Sequence, residues 1–162
     1  MGAPSKKIVL ERIRKKLTKQ IRAANKTVEQ AREVFQVGND RAENRGERGA
    51  IQEKSWLLSA QAGRLDELRR QLYAIQQTEV KMQRTVAPGA LVYLRDSSTG
   101  EEEIYLLHPD LGGMQIELEG MTVFSVSPAA PLGAAMVGKK AGDTIELDLP
   151  MGTRRLKVMR VT

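Results

Sequence analysis

Cysteine is absent from this 162-residue chain, and histidine occurs once, at His108. Without thiols there is no disulfide, no thiolate metal site and no cysteine nucleophile. One imidazole cannot build a histidine-rich metal centre, and any catalytic triad would have to use His108. No apolar run approaches the roughly 18–20 residues needed to cross a bilayer. The first residues lack the apolar core of a secretory signal. Met1-Gly2 opens like a myristoylation site, but Lys6 stands where that motif wants Ser or Thr. The expectation is a cytoplasmic protein with no membrane partner.

Charge is present in excess and unevenly spread. Residues 1–85 hold 19 Lys and Arg against 10 Asp and Glu, whereas residues 86–162 hold 7 against 10. A +9 half followed by a −3 half implies two modules, 1–85 and 86–162, and a polyanionic or acidic partner for the first. A solvated basic helix surface explains the first excess equally well.

The first module reads as an antiparallel coiled-coil hairpin. Leu10, Leu17, Ala24 and Ala31 recur every seven residues, and Ile13, Ile21, Val28 and Phe35 form a second stripe that drifts by one position. Such drift is expected of a nearly straight helix, whose period is 3.6 rather than 3.5. No proline falls between Ser5 and Val37, and Ser5 is a plausible N-cap. Gly38-Asn39 supplies a stop. Ile51, Leu58, Leu65 and Leu72, with Leu68 and Ile75, repeat the seam in a second helix reaching about Met82. Trp56 lies off these positions and reads as a flank of the seam, with a contact residue as the alternative. Residues 38–49 therefore form the tip, with Asp40 and Glu43 three residues apart at the end of a rod. Carboxylates so placed are not core residues. Arg41, Arg45 and Arg48 lie among Asp40, Glu43 and Glu47, so a salt-bridged loop is the alternative reading of the tip.

The second module reads as a small β-rich domain. Ala90–Leu94 and Ile104–Leu107 form a hairpin around Asp96-Ser97-Ser98-Thr99-Gly100, and Met121–Val126, Thr144–Leu149 and Leu156–Val161 are further strands. Pro131–Val137 reads as a short helix with proline at its start and Gly138 after its end. Pro150-Met151-Gly152-Thr153 is a turn. His108, before Pro109, reads as an ordinary loop residue.

Two stretches resemble the bacterial GreA/GreB transcript-cleavage factors. Asp40-Arg41-Ala42-Glu43-Asn44 is similar to that family's Asp-x-x-Glu-Asn tip, and Ala31-Arg32-Glu33 and Gly63-Arg64-Leu65 resemble positions on its two arms. Pro131-Leu132-Gly133-Ala134-Ala135-Met136-Val137-Gly138-Lys139-Lys140-Ala141-Gly142-Asp143, with Thr144-Ile145-Glu146-Leu147 after it, is similar to the run in the family's FKBP-like C-terminal domain. The resemblance implies an α+β chain, a coiled-coil hairpin followed by an FKBP-like β-rich domain. It implies a protein that is not itself an enzyme. The hairpin would enter the secondary channel of RNA polymerase and stimulate cleavage of backtracked RNA. Asp40 and Glu43 would share a Mg²⁺ with the polymerase active site, an ion the free protein is not expected to hold tightly, and Asn44 would shape the tip.

Lys15, Lys16, Lys19, Arg22 and Lys26 form a basic surface on the first arm, suited to the nascent RNA 3′ end or an acidic channel wall. Ser127, Pro128, Ala129, Pro131 and Leu132 fall where the family docks its C-terminal domain. The hairpin pairs with itself, so the free protein is expected to be a monomer. Two further readings stand beside this one. The first is a Gre-like channel regulator that does not stimulate cleavage. The second is a basic coiled-coil protein that binds nucleic acid or acts as a chaperone. Residues 86–162 offer no tryptophan to floor a proline pocket, so likeness to FKBP is a weak warrant for isomerase activity.

Overall fold

The computed structural model describes residues 2–39 and 45–162, with the side chains of all of these but 38, 39, 45 and 47. Two long helices come first, α1 (Lys6–Asn39) and α2 (Arg45–Gln77). They are followed by β1 (Leu91–Asp96), β2 (Glu102–Leu107), β3 (Gln115–Leu118), β4 (Met121–Val126), α3 (Pro131–Met136), β5 (Thr144–Leu149) and β6 (Gly152–Val161). This is the expected α+β order, a helical hairpin followed by a mixed β-sheet domain. Contacts divide the chain into two compact units, Arg14–Gln76 and Met1–Ile13 with Gln77–Thr162.

In the helical unit the buried side chains are the seam residues of the sequence pattern. Leu17 and Val28 of α1 and Leu65, Leu68 and Ile75 of α2 are buried, and Ile21, Ala24, Ala31, Phe35, Ile51, Leu58 and Leu72 are half-buried. Arg69 Nη2 donates to Asn25 Oδ1 at 3.2 Å and links the two helices. The ion pairs along α2, Asp66 with Arg69 and Glu67 with Arg70, are exposed and add little stability. Trp56 does not flank the seam: it is 78% exposed. The reason is angular, since two residues before Leu58 lies about 200° around the helix.

The second helix stops at Gln77 rather than Met82. The groups that would extend it are engaged within the sheet unit. Thr78 Oγ1 lies 3.0 Å from His108 Nε2, and the Lys81 carbonyl accepts from Lys6 Nζ at 3.0 Å. Lys6 is buried, and desolvation pushes its pKa below the usual lysine value, with Glu79 opposing. His108 lies in the loop after β2, as expected, and is likewise buried. Its Nδ1 accepts the Asp110 backbone N–H at 3.2 Å, so Nε2 carries the proton and donates to Thr78. Burial lowers its pKa and keeps the ring neutral.

The six strands form one sheet in the order β3-β4-β2-β1-β6-β5. All neighbours are antiparallel except β2 and β4, which run parallel. The expected β1–β2 hairpin forms, with Leu91 opposite Leu106 and Arg95 opposite Glu102. Its loop closes on Asp96, whose Oδ1 accepts the Ser98 N–H at 2.8 Å and the Ser98 hydroxyl at 2.6 Å. That is the Asx geometry that favours aspartate at turns. The strand β3 escaped the sequence reading because it has four residues, too few for a clear alternation. Its pairing with β4 is closed by Glu119 (φ 52°) and Gly120 (φ 80°), both left-handed as a two-residue hairpin turn requires. One face of the sheet packs Val92, Leu94, Leu107, Leu156 and Val158 with Met136 of α3. On β1, Leu91 and Tyr93 alternate to the other face, where the Tyr93 hydroxyl donates to the Pro4 carbonyl at 2.5 Å.

A half-buried ionic clasp ties three strands together at one end. Arg154 Nε donates to Asp96 Oδ2 and its Nη2 to Glu103 Oε1, each at 2.7 Å. The Tyr105 hydroxyl donates to Glu103 Oε2 at 3.1 Å, and burial next to that carboxylate pushes Tyr105 up to about 12. The Ser98 hydroxyl, then Arg154, hold the Asp96 carboxyl well below the usual carboxylate range. A folded-state pKa below the unfolded one means stability that is complete above the unfolded value of 3.8 and is lost as pH falls toward the lowered value. Asp96→Asn is therefore expected to destabilise the sheet unit at neutral pH, since it leaves Arg154 short of an anion. The gap between wild type and variant should then narrow below that value. Urea denaturation followed from pH 7 downward checks this, and a gap independent of pH would show that Asp96 acts only through its shape.

Candidate functional site

Three regions carry the expected functional residues. The first is the tip. Helix α1 ends at Asn39 and α2 begins at Arg45, so Asp40, Arg41, Ala42, Glu43 and Asn44 fall between them. These five lie outside the described residues. In the chain they join helices of 34 and 33 residues.

The second region is the basic surface of α1. Lys15, Lys19, Arg22 and Lys26 are exposed and Lys16 is half-buried. Spacings of four, three and four residues place Lys15, Lys19, Arg22 and Lys26 along one face. Lys15, Lys19 and Arg22, with Arg14 and Thr18, line a shallow groove of about 360 Å³. No ion pair among the described residues engages Lys15, Lys19, Arg22 or Lys26, so their field is available to an approaching anion. Replacing these four with Gln is expected to weaken the binding of an extended anionic partner that engages this face, most at low salt, where the screening length is longest. Binding measured from 50 to 300 mM salt should show a shallower salt slope for the variant (an experimental range, about 10 Å of screening at 0.1 M). A loss independent of salt would rule out long-range attraction.

The third region is the turn before α3. The Ser127 carbonyl accepts the Ala130 N–H at 3.0 Å, and the Ser127 hydroxyl accepts the Ala129 N–H at 3.2 Å. Ala130 caps α3 without a side-chain hydrogen bond, and Pro131, whose missing N–H costs nothing in the first turn, begins the helix. The turn presents Ala129 and Pro131 to solvent, while Ser127 and Pro128 are half-buried. Leu132 is half-buried and packs against the core, so it anchors the turn from below. The anchoring depends on Gly133. A Cβ there would stand 1.9 Å from the Ser127 carbonyl oxygen. In the sequence Gly133 stands out only as part of a motif, and no local pattern reveals this close approach.

A family model described as "Transcription elongation factor, GreA/GreB, C-term" matches residues 81–162. The chain belongs to the GreA/GreB family. The matched span covers the sheet, α3 and the turn before it; the helical hairpin lies outside it. GreA of Streptococcus pneumoniae serotype 4 is 33% identical over 76 residues, 47% of this chain and 44% of that protein. GreA of Streptococcus sanguinis is 32% identical over 78 residues, again 47% and 44%. The chain thus spans less than half the length of these curated relatives. Among solved structures, GreA factor homolog 1 (Gfh1) of Thermus thermophilus is 23% identical with a TM-score of 0.38, covering 92% of this chain and 94% of that one. GreA/GreB from Nitrosomonas europaea is 25% identical with a TM-score of 0.34, covering 59% and 79%. Scores this low carry no weight in the assignment, which rests on the family match.

Proposed function

We propose that this GreA/GreB-family protein acts at RNA polymerase, its hairpin entering the secondary channel, and stimulates the polymerase's own cleavage of backtracked RNA. The observation that supports this most is the position of Asp40 and Glu43 between two helices that each measure about 50 Å at 1.5 Å per residue. Acids at such a place serve a site outside their own chain. The metal role is proposed for Asp40 and Glu43 from their likeness to the family's Asp-x-x-Glu-Asn tip; both are hard oxygen donors of the kind Mg²⁺ prefers. When bound between them and the polymerase's ligands, that ion would help ionise a water and stabilise the leaving oxygen of the phosphodiester. The protein contributes two carboxylates, and the bond is broken in the polymerase.

The other regions have parts in the same reading. The basic face of α1 holds the displaced RNA 3′ end or follows an acidic wall, and the Ser127–Leu132 turn docks at the channel rim. A stalled, backtracked elongation complex, incubated with and without the protein while Mg²⁺ is varied, tests the proposal. Shortened RNA appearing faster with the protein supports it. Tight binding without shortening would instead establish a channel regulator, and binding to free RNA alone would place the protein outside the polymerase.

A further inference from the structure

Three cations of the sheet unit line one groove that has no acid in its lining. Elsewhere in that unit arginines are matched: Arg95 with Glu102, Arg154 with Asp96 and Glu103, Arg155 with Glu146. Arg84, Lys140 and Arg160 make no ion pair among the described residues and line one open groove of about 590 Å³. They come from three segments: the chain leading to β1, the loop after α3, and β6. The backbone holds them in place. Thr85 bridges Lys140, and the Val86 N–H donates to the Lys139 carbonyl at 2.8 Å. The Arg160 guanidinium sits 3.9 Å over the Tyr93 ring, which fixes its plane. Asp143 is the acid closest in chain to Lys140, and its carboxylate accepts the Lys140 backbone N–H at 2.8 Å. It does not line the groove.

We propose that this groove binds a compact di- or triphosphate of the nucleotide class. Three cations lining one groove with no acid favour an anionic occupant, and arginine in particular suits the oxygens of phosphate. A volume of about 590 Å³ lies in the range of small-molecule sites. Met82, 77% exposed, adds apolar wall beside the charges, a surface for a base or sugar. Three cations suffice for a compact polyphosphate but are few for an extended nucleic-acid strand, whose affinity is built from many phosphate contacts. A short polyphosphate meets only the cations. The proposal is independent of the polymerase reading.

Calorimetric titration of the full chain with sodium triphosphate and with ATP, in metal-free buffer, tests it. One-to-one saturable binding is expected, tighter for triphosphate than for inorganic phosphate. Arg84→Gln and Lys140→Gln should each weaken it about tenfold, the value of one charged hydrogen bond. Both residues are exposed, so thermal melts should confirm intact folds, and Arg160 is left in place because it stacks on Tyr93. A variant with Lys15, Lys19, Arg22 and Lys26 changed to Gln should bind as the wild type does. Three results would overturn the proposal. These are no triphosphate binding, binding that follows the α1 lysines instead of Arg84 and Lys140, or a single-stranded RNA oligomer that binds this groove more tightly than triphosphate.

Discussion

Changing Asp40 to Asn or Glu43 to Gln is expected to reduce stimulated RNA cleavage by on the order of a hundredfold or more, as removal of one transition-state contact commonly does. Each substitution keeps the size and most of the hydrogen bonding of the side chain and removes the charge a hard cation requires. Both residues lie outside the heptad pattern of the seam in the sequence, so melting temperature and polymerase affinity should stay near the wild-type values. The variants should then compete with intact protein for the channel and suppress its activity, which an unfolded variant could not do. Raised Mg²⁺ should restore part of the rate by mass action on the weakened ligand set. Cleavage at the wild-type rate by the double variant would sink the metal role and favour a tip in which Arg41, Arg45 and Arg48 neutralise the acids. A wild type that binds without stimulating cleavage would remove the proposed activity altogether.

What could be read from the sequence depended on the range of the interactions involved. The helical seam was legible because each buried residue repeats a local rule: Leu17, Val28, Leu65, Leu68 and Ile75 sit where the 3.6-residue period puts them. The strands β4 and β5 have the limits that runs of apolar and β-branched residues predicted, and α3 differs from its predicted span by one residue. Long-range partners escaped. The end of α2 was misplaced by five residues because Thr78 and Lys81 are held by His108 and Lys6, 30 and 75 positions away. The clasp of Asp96, Glu103 and Arg154 depends on the β2-β1-β6 order, and the groove shared by Arg84, Lys140 and Arg160 on that order and on the Thr85–Lys140 bridge. No spacing rule anticipates that order. The tip acids were the reverse case, conspicuous in sequence and outside the described residues.

Gly133→Ala is expected to be the most damaging single-methyl change in the sheet unit. The added Cβ would stand 1.9 Å from the Ser127 carbonyl oxygen, 2.8 Å from its carbon and 3.1 Å from Pro128 Cα. All three are backbone atoms, so no side chain can swing aside, and either α3 or the turn must move. Overpacking of this kind costs about 3 kcal/mol or more, a large part of a domain's typical margin of about 5–15 kcal/mol. The displacement would fall on the turn that presents Ala129 and Pro131, so amide exchange should rise over residues 127–132 before it rises in β1 or β6. Gly63→Ala is the matched control. Gly63 lies in α2 with nothing within 4 Å of the point an added methyl would occupy, and gaining alanine's helix propensity should stabilise the protein by about 1 kcal/mol. Opposite signs for one chemical change would show that space at the Cβ decides the outcome. Equal melting temperatures for Gly133→Ala and wild type would mean that the turn yields freely and that Gly133 does not hold it.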